Sequence, residues 1–213
     1  MSAKRAFDLV LAIAGVIALS PLLLVIACWI RLDSRGSAFF RQVRVGRRGH
    51  PFRIIKFRTM VTNAASLGGS ITPTDDPRIT RAGRVLRKLK LDELPQLFNV
   101  AFGDMSLVGP RPEVPRYVEM YSDELRKVLE LRPGITDPAS IVFRDEGNML
   151  ARAADPEETY VTVLMPEKIR LNLDYARTAS VWTDAAVIIQ TLVCLFGRRK
   201  GRTATGSGPG IEH

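Results

Sequence analysis

Hydrophobic and polar positions along the chain fall into blocks of different period, and the first block is the most uniform. Leu9 to Ile30, LVLAIAGVIALSPLLLVIACWI, carries no charged side chain. At ~1.5 Å rise per residue a continuous helix over it reaches roughly 33 Å, enough to cross the hydrocarbon core of a bilayer. Ser20-Pro21 lies near its middle. Proline inside a helix removes one hydrogen bond and clashes with the carbonyl a turn earlier, at a cost of about 3 kcal/mol. The pattern predicts a bend at this pair and two apolar arms, each about half a bilayer deep, forming a re-entrant hairpin; a single span with a proline kink is the alternative. In either arrangement the serine hydroxyl can satisfy a carbonyl that the proline leaves free. Lys4 and Arg5 precede the run, and Arg31, Arg35, Arg41, Arg44, Arg47, Arg48 and Arg53 follow it. The preference of basic flanks for the cytoplasmic side puts the body of the protein there. The run exceeds a signal-peptide core, and proline directly follows its one small-residue cleavage site, so the segment is expected to be retained.

Downstream the period changes. Ala38 to Met60 alternates in FRQVRV and FRIIKF around a turn near Gly46 to Pro51, which predicts a β-hairpin whose exposed arginines can line a headgroup surface. Thr62 to Pro77 is polar and rich in Gly, Ser, Thr and Asp, the composition of a mobile lid or disordered connector. Ile79 to Leu91 has helical spacing, with Val85, Leu86 and Leu89 apolar and arginines opposite. A second helix is expected from about Glu93 or Pro95 to Phe102, stopped by Gly103. Tyr117 to Glu130 and Pro166 to Ala176 read as helices, and Val142 to Glu158 has no clear period. Val181 to Phe196 is short for a span but apolar enough to lie in the interface. The expected fold class is α+β and mostly helical. It comprises a re-entrant membrane helix over 1–31 broken at Ser20 and Pro21, a body over 32–196 with a small hairpin and amphipathic interfacial helices, and a basic, disordered tail over 197–213.

Charge narrows the partners. Lys plus Arg is 31 against 22 for Asp plus Glu, a net +9, which favours nucleic acid, acidic lipid headgroups or phosphorylated small molecules. Aromatics are only 7% of the chain and no recognition motif is evident, so nucleic acid is not expected. Cys28 and Cys194 stand alone, without the spacing of a zinc site or a disulfide framework.

The basic residues Arg78, Arg81, Arg84, Arg87, Lys88 and Lys90 lead directly into Asp92 and Glu93. A carboxylate pair at the start of a helix has a structural explanation, as a cap that accepts backbone N–H groups and complements the helix dipole. It also has a chemical one. An ionised aspartate, with an ordinary pKa of about 3.9, needs no general base to act as a nucleophile. Its obstacle is repulsion by an anionic diphosphate, which arginine, lysine, a helix N-terminus and Mg²⁺ can offset. Arg111 is held between Pro110 and Pro112, so little entropy is lost when its guanidinium grips a phosphate. Arg132-Pro133-Gly134 repeats the device.

Six ordered blocks carry a resemblance: KRAFD at Lys4–Asp8, the Ser20-Pro21 pair, KFRTM at Lys56–Met60, LDELPQLFNV at Leu91–Val100, GDMSLVGPRPE at Gly103–Glu113 and RPGIT at Arg132–Thr136. Together they resemble the monotopic polyprenyl-phosphate phosphoglycosyl transferases, the bacterial initiating sugar transferases, in their minimal catalytic form. The resemblance implies an enzyme on the cytoplasmic face of the inner membrane that moves a sugar 1-phosphate from a UDP-sugar to polyprenyl phosphate and releases UMP, with Mg²⁺. It implies Asp92 as covalent nucleophile and Glu93 as its metal-associated partner. Lys56, Arg87 and Arg111 fall on positions expected to face substrate phosphates. The bilayer is implied as a partner, and a homodimer is compatible with it. After RPGIT the chain reads DPASIVFRDEGNMLARAADPEETY instead of the glycine-rich stretch of many members, which leaves the sugar pocket unassigned. Two other functions compete. A non-catalytic basic module on a membrane surface explains the charge but not the Pro-Arg-Pro beside an acidic pair; a phosphohydrolase would use water as acceptor.

Overall fold

The computed structural model describes residues 3–67 and 76–196, and α1 occupies Ala3–Asp33. The helix is continuous through Pro21, so the proline expected to break the segment does not end the helix there. Pro21 cannot donate to the Ile17 carbonyl, and Ser20 Oγ donates to that same oxygen at 2.8 Å. The serine thus restores the bond that proline removes, and the helix continues. One stripe of α1 is buried, through Ala12, Leu23, Ile26 and Ile30, while Val10, Ile17, Leu24, Val25 and Leu32 remain 65–88% exposed. Among the described residues α1 is the one helix long and apolar enough to cross a membrane.

Both ends of α1 are tied to the same body. Near the N-terminus, Lys4 Nζ donates to the Val108 carbonyl at 3.1 Å and pairs with the buried Asp184. Arg5 donates to the Val100 and Ala101 carbonyls at 2.7 and 3.2 Å. Asp8, also buried, accepts from Leu107 N and Ser106 Oγ at 3.0 and 2.8 Å. At the other end, Arg58 donates to the Arg35 and Ser34 carbonyls, and Asp33 accepts from Ala82 N at 3.1 Å.

Strands β1 (Phe39–Val45) and β2 (Pro51–Phe57) form the expected antiparallel hairpin, with Phe40 opposite Lys56. Its turn places Arg48 and Gly49 at φ 57° and 78°, a left-handed conformation that glycine adopts freely. Arg41, Arg47, Arg48 and Arg53 point outward, whereas Arg44 and Arg58 turn in. Helix α2 (Arg81–Lys88) begins at Thr80, whose side chain caps Gly83 N. It sends Leu86 into the core and leaves Val85 and Leu89 exposed. Helix α3 (Gln96–Phe102) ends on Gly103 at φ 100°, the left-handed stop that the glycine predicts.

Two strands of three residues, β3 (Ser106–Val108) and β4 (Gly134–Thr136), pair in parallel. No periodicity announces elements this short. Their pairing brings the GPRP and RPG loops into contact: a Cβ on Gly134 would stand 2.1 Å from Gly109 N. The stretch expected as one helix over 117–130 divides into α4 (Pro115–Glu119), α5 (Asp123–Arg126) and a 3₁₀ turn at Lys127–Glu130, because Ser122 caps a new start at Leu125 N. Helix α6 (Pro138–Val142) leads into the region without period, which holds α7 (Glu146–Arg152) and most of α8 (Pro156–Thr159), and a π-helical turn follows at Tyr160–Leu164. Helices α9 (Met165–Thr178) and α10 (Val181–Phe196) match their expected positions. The outer side of α10 exposes Trp182, Ile189 and Val193.

Among the described residues, three apolar clusters hold these elements together. Leu23, Ile26, Ile30, Ala38, Phe57 and Leu86 join α1 to the hairpin and α2. Ala12, Ile54, Val100, Met105, Val108 and Val187 join α1 to β2, α3, β3 and α10. Tyr117, Val118, Tyr121, Tyr160, Leu164 and Ile169 close the C-terminal part. The polar loop expected over 62–77 lies partly outside the described residues; at its C-terminal end Asp76 is buried on Arg78 at 2.6 Å. The tail expected to be disordered lies outside them too.

Candidate active site

Between α2 and α3 the chain makes a sharp reversal. Lys90 takes a left-handed conformation, φ 56°, and Leu91–Glu93 form one 3₁₀ turn. Neither acid makes a side-chain capping bond to this turn or to α3. The capping explanation of the pair is therefore not realised, and both carboxylates are directed elsewhere.

Glu93 Oε1 accepts from Lys56 Nζ at 2.7 Å and from Arg111 Nη2 at 3.0 Å. Lys56 arrives from the end of β2 and Arg111 from the loop after β3. Asp92 is 9% exposed, and its Oδ1 is buried without a hydrogen-bond partner. A buried carboxylate oxygen with no donor is costly for stability alone. Arg87 reaches the same region from α2, with Nε donating to Thr59 Oγ1 at 2.8 Å. That contact needs α2 to lie close on Thr59, and Gly83 permits it: a Cβ there would meet the Thr59 carbonyl at 2.1 Å.

The charges separate the two acids. Burial, with Glu93 alongside, pushes the Asp92 carboxyl above the usual aspartate range, against the pull of Lys56, Lys90 and Arg87. Burial acts upward on Glu93 as well, but Arg111 and Lys56 outweigh it and hold Glu93 well below the usual glutamate range. Lys56 is lowered by its own burial despite Glu93, and Arg111 is raised by Glu93. One carboxylate is thus fixed as an ion-pair partner, while the other sits poorly solvated among cations that do not bond to it.

The sequence-predicted residues Lys56, Glu93 and Arg111 meet directly. Asp92 and Arg87 stand at electrostatic range, and Ser20 and Pro21 remain in α1. Three contributors were not singled out from the sequence. Lys90 acts on both acids and sits visibly in the basic run; Thr59, in KFRTM, anchors Arg87; Tyr160, which no motif marks, holds Glu113.

The donor set suits Mg²⁺. Both contacts of Glu93 fall on Oε1, so Oε2 and the orphaned Asp92 Oδ1 are available oxygens. Among the described residues no group of three or more acid, histidine or cysteine side chains assembles. Two hard oxygen ligands completed by water and substrate phosphates are typical of magnesium, and unlike an all-protein calcium or zinc cage.

Residues 1–198 match the model of a family described as bacterial sugar transferase. The chain is similar to the UDP-N-acetylgalactosamine-undecaprenyl-phosphate N-acetylgalactosaminephosphotransferase of Aeromonas hydrophila, 38% identical over 202 residues, covering 92% of this chain and 45% of that protein. It is similar to the undecaprenyl-phosphate glucose phosphotransferase of Komagataeibacter xylinus, 39% identical over 200 residues, covering 90% and 35%. Similarity extends to the UDP-glucose:undecaprenyl-phosphate glucose-1-phosphate transferase of Caulobacter vibrioides, 38% identical over 196 residues, covering 91% and 69%. The chain spans less than half the length of the first two relatives.

Proposed function

This chain belongs to the bacterial sugar transferase family, and from that premise we propose that it transfers a sugar 1-phosphate from a UDP-sugar to polyprenyl (undecaprenyl) phosphate, releasing UMP. The observation that carries the reading is the unpartnered, buried Asp92 oxygen beside a Glu93 already neutralised by two cations. In the first half-reaction an Asp92 carboxylate oxygen attacks the sugar-bearing phosphorus of the donor. The bond from that phosphorus to the bridging oxygen breaks, and UMP leaves with the electron pair. Asp92 then carries the phosphosugar as an acyl phosphate, a mixed anhydride that stays activated. In the second half-reaction a phosphate oxygen of the lipid acceptor attacks the same phosphorus, and the Asp92 carboxylate is released unchanged.

Lys56, Arg87 and Arg111 supply positive charge to the diphosphate as it approaches two acids. Arg111 presents a rigid fork, since the prolines on either side restrict its backbone. Mg²⁺ held by Asp92 and Glu93 would neutralise phosphate oxygens as charge develops.

The bilayer enters through α1. Its N-terminal residues bond to β3, α3 and α10, and its C-terminal residues bond to the segment after β2 and to α2. A helix anchored at both ends to one body supports a re-entrant or surface-embedded arrangement over a span that would place those ends on opposite sides. The basic flanks favour the cytoplasmic face. Cysteines introduced at Ala3 and Ser37, both exposed, should be labelled by an impermeant reagent from the cytoplasmic side only. Labelling from opposite sides would establish a true span.

The central test is a donor panel. The relatives' names include both N-acetylgalactosamine and glucose, so UDP-N-acetylgalactosamine, UDP-glucose and their epimers should be assayed for UMP release with and without polyprenyl phosphate. Multiple turnover only with the lipid acceptor is the expected result. Multiple turnover without it identifies a phosphohydrolase, and no release with any donor leaves the basic binding module.

A further inference from the structure

We infer that Tyr160 and Glu113 are positioning residues that hold Arg111 in register with Glu93, an inference that rests on the transferase reading above. The segment bearing Arg111, Gly109 to Glu113, has no regular structure of its own and is tied down at nearly every residue. Gly109 N donates to the Thr136 carbonyl at 3.0 Å, and Gly134 N donates to the Pro110 carbonyl at 2.9 Å. Arg44 Nη1 donates to the Pro112 carbonyl at 3.1 Å, and Val45 N donates to the Glu113 carbonyl at 2.9 Å.

The backbone contacts fix where the loop runs; the side chain of Glu113 decides what charge Arg111 meets. The Glu113 carboxylate receives the Tyr160 hydroxyl and stands 3.9 Å from Arg44 Nη1. It acts on Arg111 electrostatically in the same direction as Glu93. Held in place, it is a second fixed negative centre that acts with Glu93 on that guanidinium. Tyr160 and Arg44 both engage it, so its pull on Arg111 is fixed, and Arg111 keeps its contact with Glu93 and presents its remaining donors to phosphate.

Tyr160 is itself held firmly. It is 7% exposed, its ring centroid is 5.1 Å from that of Tyr117, and Lys168 Nζ lies 5.5 Å over its ring. Lys168 in turn pairs with Glu146 at 2.9 Å. Tyr160 also opens the π-helical turn Tyr160–Leu164, a rare feature found disproportionately at functional sites. The hydroxyl is thus directed at Glu113 by a packed ring and an irregular turn, both from the part of the chain where no motif was legible.

The test is a double-mutant cycle on the full-length protein in detergent or nanodiscs, using the best UDP-sugar of the panel. Tyr160→Phe keeps the ring and removes only the donated hydrogen bond to a charged acceptor, which is expected to lower donor kcat/KM about tenfold. The loss should lie mainly in the donor KM, with the polyprenyl phosphate KM unchanged. Glu113→Gln should act in the same sense. Combining it with Tyr160→Phe should add less than about twofold beyond the larger single effect, since both lesions break one contact. Additive losses, equal shifts of donor and acceptor KM, or a lowered melting temperature with unchanged donor KM would each overturn the inference while leaving the transferase reading intact. Absence of UMP release by the unmutated protein would instead sink the transferase reading, and this inference with it.

Discussion

Asp92→Asn is expected to lower donor turnover by at least about a thousandfold, because an amide cannot form the acyl phosphate on which the proposed ping-pong cycle depends. Protein quenched during incubation with donor alone should carry the mass of a phosphosugar on a peptide containing Asp92, and the Asp92→Asn variant should carry none. The structure adds an expectation about stability. Asp92 Oδ1 has no hydrogen-bond partner to lose, and burial together with Glu93 disfavours its charged form. Removing that charge should leave the melting temperature unchanged or raise it, with membrane association intact. Loss of activity without loss of stability separates a reacting group from a structural one. Normal turnover by Asp92→Asn would dismiss the nucleophile assignment.

Glu93→Gln should behave in the opposite way and damage both stability and activity. Its carboxylate holds Lys56, whose side chain is 14% exposed, and Arg111, whose side chain is 37% exposed. Solvent screens the Arg111 pair, so the larger share of the loss falls on Lys56, left buried without its counter-ion. A destabilisation of about 3 kcal/mol, roughly 6–12 °C in Tm, is the expected scale. Changing Lys56→Met in the same protein should recover part of it, because removing both members of a buried pair is milder than removing one. Activity should not return, since a proposed phosphate contact has also gone.

The pH dependence of that stability has a definite sign. Arg111 and Lys56 hold Glu93 well below the usual glutamate range against the upward effect of burial. Its stabilisation is therefore present above the unfolded-state value of about 4.3 and lost only as pH falls through the lower folded-state value. The Tm difference between wild type and Glu93→Gln should persist through mildly acidic pH and shrink in strong acid. A difference that vanishes already near pH 6 would mean that Glu93 does not carry these ion pairs in solution.

Much of the architecture was legible because it rests on local rules. Alternation predicted the hairpin at residues 38–60, helical spacing predicted α2, and Gly103 marked the end of α3 by its freedom to adopt positive φ. Where local rules compete, the outcome was not legible. Proline predicted a break in α1, yet one serine hydroxyl on the Ile17 carbonyl lets the helix continue. Tyr117 to Glu130 has helical spacing, yet Ser122 starts a second helix within it. Strands β3 and β4 are too short for any period, and they exist because Gly109 and Gly134 allow two backbones to touch.

The same division runs through the site. By itself the sequence determined its inventory: an acidic pair in a basic surround, an arginine stiffened by two prolines, and an apolar segment suited to a membrane. These follow from residue type and from spacing within a few positions, and they require no knowledge of which distant segments meet. Only the tertiary structure decided that Glu93 takes both Lys56 and Arg111 while Asp92 keeps an oxygen free. It alone joined Tyr160 to Glu113, next to the Pro-Arg-Pro loop. Such pairings depend on burial and on contacts between residues tens of positions apart, where a small displacement exchanges one partner for another and no local pattern records the result.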